Sequence, residues 1–91
     1  MAFQVLLHAT VTKTLAKLPE RDRRRIRDAL KVLAADPIRR RPGADVKRLS
    51  GTSGREDFWR LRIGDYRDVY AIQGDEILVT DLFVRGRGYE I

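Results

Sequence analysis

The chain has 91 residues, of which 43% are hydrophobic, and this length fits one packed domain over residues 1–91 rather than two. It contains no cysteine and a single histidine, His8, which excludes disulfides, thiolate chemistry and Cys- or His-rich metal sites. The formal net charge of +6 is typical of proteins with polyanionic partners. We therefore expect a single domain without a metal or a cofactor.

The basic excess is confined to the first part of the chain. Residues 1–54 carry 13 Lys/Arg and 5 Asp/Glu, whereas residues 55–91 carry 6 and 8. An affinity for polyanions is the natural interpretation of this asymmetry, and a solvated basic helix face is its main competitor. The opening MAFQVLLHAT shows no basic leader, and no apolar run approaches membrane length. The expected location is therefore cytoplasmic, with no membrane partner.

The first part of the chain predicts one strand and a helical hairpin. FQVLLH (3–8) is apolar enough for a short, largely buried strand, and Thr10 or Thr12 can cap a first helix. Pro19 interrupts that helix and suits the first turn of a second one, which spans about 20–35. Three aliphatic residues at helical spacing form the apolar face of the second helix: Ile26, Leu30 and Leu33. This face needs a sheet to cover.

Three strands follow a basic connection that spans residues 38–57, in which only VKRL is a strand candidate. The strands are FWRLRI (58–63), YRDVYAI (66–72) and EILVTDLFV (76–84). Gly64-Asp65 and Gly74-Asp75 predict two-residue hairpin turns between them. The order βααβββ predicts an α+β fold: an antiparallel sheet with an N-terminal helical hairpin packed on one face.

The first hairpin predicts a cluster of arginines. A two-residue turn at Gly64-Asp65 sets Arg62 opposite Arg67, with Arg60 as a diagonal neighbour on the same face. Like charges opposite one another destabilise a sheet unless an anion lies between them, which favours a binding site. The alternative is a set of ordinary ion pairs with Glu56, Asp57 and Asp65, worth about 0–1 kcal/mol each.

Asp68 occupies a position in this hairpin that should face the core. A two-residue turn at Gly74-Asp75 sets it opposite Asp81. Two carboxylates at that point require either a different register or an arginine between them, such as Arg85.

Clustered arginines without metal ligands suggest chemistry on a phosphodiester. Guanidinium groups match phosphate oxygens bidentately and stay charged at any accessible pH. When a 2′-hydroxyl attacks the adjacent phosphate, negative charge develops on the phosphorane oxygens, and preorganised cations stabilise it. A tyrosine beside cations is a more plausible proton carrier than arginine, whereas His8 is expected to be structural.

Four segments carry a resemblance to a known family: LAKLPERDRRRIRDALKVLAADP, KRLSG, FWRLRIGDYRDVYAI and the closing VRGRGY. Together they resemble the RelE toxins of the RelE/ParE superfamily, and the basic strand followed by GDYR is the most specific part. The resemblance implies a RelE-like fold and the toxin of a type II toxin–antitoxin system. It also implies a metal-independent, ribosome-dependent mRNA endoribonuclease that cuts in the A site and inhibits translation.

The resemblance also implies roles for individual residues. Arg67 matches the arginine that contacts the scissile phosphate, and Arg60 matches a strand residue proposed to act in proton transfer or charge stabilisation. Phe58 and Gly86 stand where relatives have lysine and histidine, so the usual proton acceptor is not identified. The implied catalytic residues are Arg60, Arg67, Arg87 and Tyr89. The implied RNA-binding residues are Arg62, Lys47, Arg48 and Arg85.

The partners implied by the resemblance are a cognate antitoxin, the ribosome and mRNA. The free toxin is expected to be a monomer that forms a heteromeric complex with its antitoxin. Two alternatives remain open at this point: a ParE-like inhibitor of DNA gyrase, and a degenerate toxin that only binds its antitoxin. The joint presence of Arg60, Arg67 and Arg87 favours the RelE reading.

Overall fold

Two helices and five strands form the part of the chain that the computed structural model describes, residues 2–49 and 58–84. The strands are β1 (Gln4–Leu7), β2 (Asp45–Arg48), β3 (Phe58–Ile63), β4 (Tyr66–Gln73) and β5 (Glu76–Val84). The helices are α1 (Ala9–Lys17) and α2 (Glu20–Ala35). The strands make one sheet in the order β1-β5-β4-β3-β2. No helix in these two described ranges is long and apolar enough to span a membrane.

Helix α1 begins directly after β1. His8, the predicted structural residue, caps it, because its Nδ1 atom accepts a hydrogen bond from the backbone N–H of Thr10 at 3.1 Å. Val11 and Leu15 are the buried residues of this short helix. The chain then turns at Pro19, which is the N-cap of α2 and separates the two helices.

Helix α2 packs its predicted apolar face into the core, since Ile26, Leu30 and Leu33 are all buried. Asp36 caps its C-terminal end and ends the helix before Pro37. Arg41 also closes this end, because its guanidinium donates to the carbonyls of Val32 at 2.8 Å and Asp36 at 2.9 Å. The connection into β2 is therefore held against the helix.

The α+β class and the helical hairpin on one sheet face are confirmed. The sheet is mixed rather than wholly antiparallel, because β1 lies parallel to β5 at one edge. The helical hairpin carries the chain from β1 across the sheet, and β2 forms the opposite edge beside β3. The segment predicted as a possible strand, VKRL, contributes three of the four residues of β2.

The helices cover only one face of the sheet. Leu61, Ile63 and Tyr70 point toward them and belong to the same buried cluster as Ile26 and Leu33. The next residues along β3 point the other way because side chains alternate along a strand. Arg60 and Arg62 therefore lie on the face that the helices do not cover.

The hairpin of β4 and β5 contains a bulge that corrects the predicted register. Val69 pairs with Asp81 and Tyr70 pairs with Val79, so Thr80 is an extra residue in β5. As a result Asp68 lies opposite Leu82, and not opposite Asp81 as the unbulged register predicts. Alternation then places Asp81 on the uncovered face, where it is exposed, while Asp68 points into the core.

Candidate nucleic-acid interface

Four basic residues share the uncovered face of the sheet, and we call them the cationic face: Lys47, Arg60, Arg62 and Arg67. The pairing of β3 with β4 sets Arg62 directly opposite Arg67, as predicted. The pairing of β2 with β3 sets Lys47 directly opposite Arg60. Two like-charged pairs thus lie side by side on three neighbouring strands. Such pairs destabilise a sheet by themselves, so an anion between them would be stabilising.

Arg60 lies at the centre of the cationic face and is half-buried. Its Nε atom is buried and has no hydrogen-bond partner among residues 2–49 and 58–84. A buried donor without an acceptor costs about 1–3 kcal/mol relative to a satisfied one. Arg60 therefore has a strong physical reason to take up an acceptor oxygen from a ligand.

No carboxylate neutralises Lys47, Arg60 or Arg62 within the described residues. The ion pairs there are Arg24–Glu20, Arg39–Asp36 and Arg40–Asp45. Asp45 lies opposite Arg62 in the pairing of β2 with β3, yet its carboxylate pairs with Arg40 Nε at 3.2 Å instead. Three acids were considered as partners from the sequence. Asp65 makes no ion pair with another described residue, and Glu56 and Asp57 lie outside the described residues.

Arg67 differs from its neighbours because it is only 9% exposed. Its Nη1 atom donates to two carbonyls at the hairpin turn, Gly64 O at 2.8 Å and Tyr66 O at 2.9 Å. These bonds fix the guanidinium against the turn that joins β3 to β4. Arg67 therefore has a structural role in the hairpin in addition to its place on the cationic face.

The remaining predicted site residues lie either away from the cationic face or outside the described residues. Arg48 lies opposite Trp59, so alternation places it on the helix side of the sheet, away from Lys47. Arg85, Arg87 and Tyr89 lie outside the described residues. Phe58, where the resemblance to RelE toxins implied a lysine, lies opposite Ala71 on the uncovered face beside Arg60. Within the described ranges, no group of three or more His, Cys, Asp or Glu residues could hold a metal ion.

Comparisons with known proteins identify the family of this chain. The family model for the ParE toxin of the type II toxin–antitoxin system parDE matches residues 5–89. RelE1 of Methanocaldococcus jannaschii is 30% identical over 79 residues, which cover 87% of this chain and 83% of that protein. The chain belongs to the RelE family of type II toxins, within the RelE/ParE superfamily. The family predicted from the sequence is thus confirmed.

Solved structures of RelE-family toxins share this fold. The archaeal RelE–RelB complex of Pyrococcus horikoshii contains a chain that is 36% identical, with a TM-score of 0.80 over 96% of this toxin and 99% of that chain. The RelBE2 toxin–antitoxin complex of Mycobacterium tuberculosis contains one that is 24% identical, with a TM-score of 0.75 over 93% of this toxin and 100% of that chain. The second likeness concerns the fold alone. This RelE-family toxin therefore shares the fold of its solved relatives.

Proposed function

We propose that this toxin is a ribosome-dependent mRNA endoribonuclease that inhibits translation, and that it binds the RNA backbone on the cationic face. The observation that carries the proposal is the buried Nε–H of Arg60, which has no acceptor in the part of the chain that the structure describes. Lys47 and Arg62 lie beside it and add two further positive charges. A phosphate oxygen supplies the missing acceptor and the missing negative charge together. A solvated basic surface has no need of a buried, unsatisfied donor.

The proposed reaction uses the RNA's own 2′-hydroxyl as the nucleophile. The 2′-hydroxyl gives its proton to water as its oxygen forms a bond to phosphorus, and negative charge develops on the phosphorane oxygens. The bond to the 5′-oxygen of the next nucleotide then breaks and that oxygen takes up a proton from water, which leaves a 2′,3′-cyclic phosphate and a 5′-hydroxyl. Arg60 stabilises that charge, and Arg67 contributes from its fixed position at the turn. Arg62 and Lys47 hold the flanking backbone. Arg87 and Tyr89, which lie outside the described residues, are proposed to complete the site.

We further propose that a cognate antitoxin binds and neutralises this toxin. The similarity to the toxin chain of the archaeal RelE–RelB complex, at 36% identity over nearly the whole length, supports this proposal. The mRNA and the A site of the ribosome are the proposed targets of the free toxin.

Cleavage of translated mRNA tests the proposed function. Purified toxin is added to ribosomes programmed with a defined mRNA, and the cuts are mapped by primer extension. We expect cuts within codons at the A site and none in the same mRNA without ribosomes. Arg60→Ala should lower the cleavage rate by about 10²–10³-fold, since it removes a preorganised donor from the developing charge.

Two controls make the result specific. Arg24→Ala removes an equal charge from an exposed position on α2, where Arg24 pairs with Glu20, and should leave the cuts unchanged. Circular dichroism melting must show that Arg60→Ala remains folded. Arg67→Ala is less informative, because it also removes two hydrogen bonds from the turn.

The match to the family model for ParE toxins favours one second candidate, a ParE-like inhibitor of DNA gyrase. If the wild-type toxin leaves ribosome-bound mRNA intact but blocks supercoiling by purified gyrase, this candidate replaces the endoribonuclease. Intact mRNA together with normal supercoiling would leave a protein that only binds its antitoxin.

A further inference from the structure

Arg25 on helix α2 reaches the tip of the hairpin that carries Arg62 and Arg67. Its guanidinium lies directly against Gly64: a Cβ atom on that glycine would be 2.7 Å from Nη1 and 2.9 Å from Cζ. Real side chains do not approach so closely, so any residue with a Cβ atom would displace the guanidinium. Gly64 also has a φ of +58°, which favours glycine at the turn itself. The turn therefore accommodates Arg25 as well as the change of chain direction.

Arg25 and Arg62 line the same cleft, which lies between α2 and the ends of β2 and β3. The cleft has a volume of about 320 Å³, and its walls include Ala29, Val32 and Ile63. Arg62 belongs to both this cleft and the cationic face. The cleft is thus continuous with the cationic face around the hairpin tip.

The cleft retains a positive charge after its acids are counted. Asp28 and Asp45 also line it, but Asp45 is paired with Arg40 at 3.2 Å. Neither Arg25 nor Arg62 makes an ion pair within the described residues. Asp28 is therefore the one carboxylate in the lining that is not paired with Arg40, and it faces two guanidinium groups.

A hydrogen bond between the helix and the hairpin fixes this arrangement. Tyr66, the first residue of β4, donates its phenolic O–H to Asp22 Oδ2 at 2.8 Å. This bond raises the pKa of Tyr66 and ties the first turn of α2 to the hairpin. Asp22 and Arg25 are three residues apart and so lie on the same side of the helix. The bond that holds Asp22 to the hairpin therefore also keeps Arg25 at the turn.

We propose that Arg25 is a further phosphate-binding residue, and that the RNA strand continues from the cationic face around the hairpin tip into this cleft. The inference rests on the proposed function and extends it, because it gives the direction in which the bound strand leaves the sheet. The chemical group recognised is the phosphodiester of single-stranded RNA. Arg25 and Arg62 hold it from the two sides of the cleft.

The salt dependence of RNA binding tests this role. A short oligouridylate with 2′-O-methyl groups throughout cannot be cut by 2′-hydroxyl attack, and fluorescence anisotropy measures its affinity at increasing KCl. Each phosphate contact to single-stranded RNA contributes about 0.7 to the slope of log K against log salt. We expect Arg25→Ala and Arg25→Gln to reduce the magnitude of the slope by about that amount.

Arg24→Ala is the matched control, since it removes the same charge from the next residue of the helix. Arg24 lines a different groove, between α1 and α2, and should leave the slope unchanged. Melting curves confirm that each variant is folded.

The possible outcomes separate the inference from the proposed function. A reduced slope for Arg25→Ala and Arg62→Ala, but not for Arg24→Ala, supports the inference. A reduced slope for Arg60→Ala and Arg62→Ala alone overturns it and leaves the cationic face intact. Equal effects of Arg24→Ala and Arg25→Ala also overturn it, because they indicate a general charge effect. No effect of any of these variants overturns both the inference and the proposed RNA-binding face.

Discussion

Asp68 makes the stability of this toxin depend on pH, and Asp68→Asn is the perturbation that shows it. The residue is 1% exposed, and neither carboxyl oxygen has a hydrogen-bond partner among the described residues. In the sheet it lies between Leu61 on β3 and Leu82 on β5. Burial raises its pKa from 3.8 to about 8, because the charged form cannot be solvated there. The folded protein therefore holds a proton on Asp68 at neutral pH.

The magnitude follows from the difference in proton binding between the two states. Below pH 3.8 the carboxyl is protonated whether the chain is folded or unfolded, so folding meets no ionisation cost. As the pH rises toward 8, the unfolded chain releases the proton and the folded chain retains it. Each pH unit in this window lowers the free energy of unfolding by about 1.4 kcal/mol. Between pH 5 and pH 8 the loss is about 4 kcal/mol, a large part of the roughly 5–15 kcal/mol of a typical domain.

Urea unfolding at pH 5 and pH 8, followed by the fluorescence of Trp59, measures this loss. Asp68→Asn cannot ionise, so its stability should exceed that of the wild type by about 4 kcal/mol more at pH 8 than at pH 5. Asp81→Asn is the control, because this exposed carboxylate lies on the opposite face of the sheet. If the free energy of unfolding had the same pH dependence in the wild type and in Asp68→Asn, the reasoning would be refuted. If Asp81→Asn, rather than Asp68→Asn, removed the pH dependence of stability, the bulged register would be refuted.

Three further predictions concern the two hairpin turns and one buried hydrogen bond. Gly64→Ala and Gly74→Ala should each destabilise the toxin by about 1–2 kcal/mol in urea unfolding, since both glycines have a positive φ. A Cβ atom at Gly74 meets nothing within 4 Å, whereas one at Gly64 would displace Arg25. Only Gly64→Ala should therefore weaken RNA binding, and equal RNA affinities of the two variants would contradict this. Tyr70→Phe should cost about 1–3 kcal/mol, because it leaves the carbonyl of Pro37 without the 2.6 Å hydrogen bond from this buried phenol. An unchanged urea midpoint would show that the bond contributes nothing.

The arrangement of the three arginines of the cationic face could be predicted from the sequence because it depends on local geometry. Side chains alternate along a strand, and a two-residue turn fixes the register of the strands that it joins. Those two facts are enough to set Arg62 opposite Arg67 and Arg60 diagonal to it. The apolar face of α2 was predictable for the same reason, since helical spacing is a local property.

Other parts of the site depended on contacts between distant segments. Alternation predicts the face on which Arg67 lies. It does not predict that the guanidinium turns back and donates to the carbonyls of the hairpin turn. Nothing in the run of arginines on α2 distinguishes Arg25 from Arg24. Only the packing of the helix across the sheet, held by the bond from Tyr66 to Asp22, brings Arg25 to Gly64.

The amino-acid sequence alone determines those features that depend on residues close together in the chain. They are the helices, the three C-terminal strands, their turns and the clustering of arginines on one hairpin. Tertiary packing is what makes β1 lie parallel to β5, places Leu82 rather than Asp81 opposite Asp68 through a bulge at Thr80, and brings Arg25 to the hairpin tip. These features depend on packing between separate elements. The position of a bulge in a strand, or of a helix across a sheet, is determined by how the whole core packs.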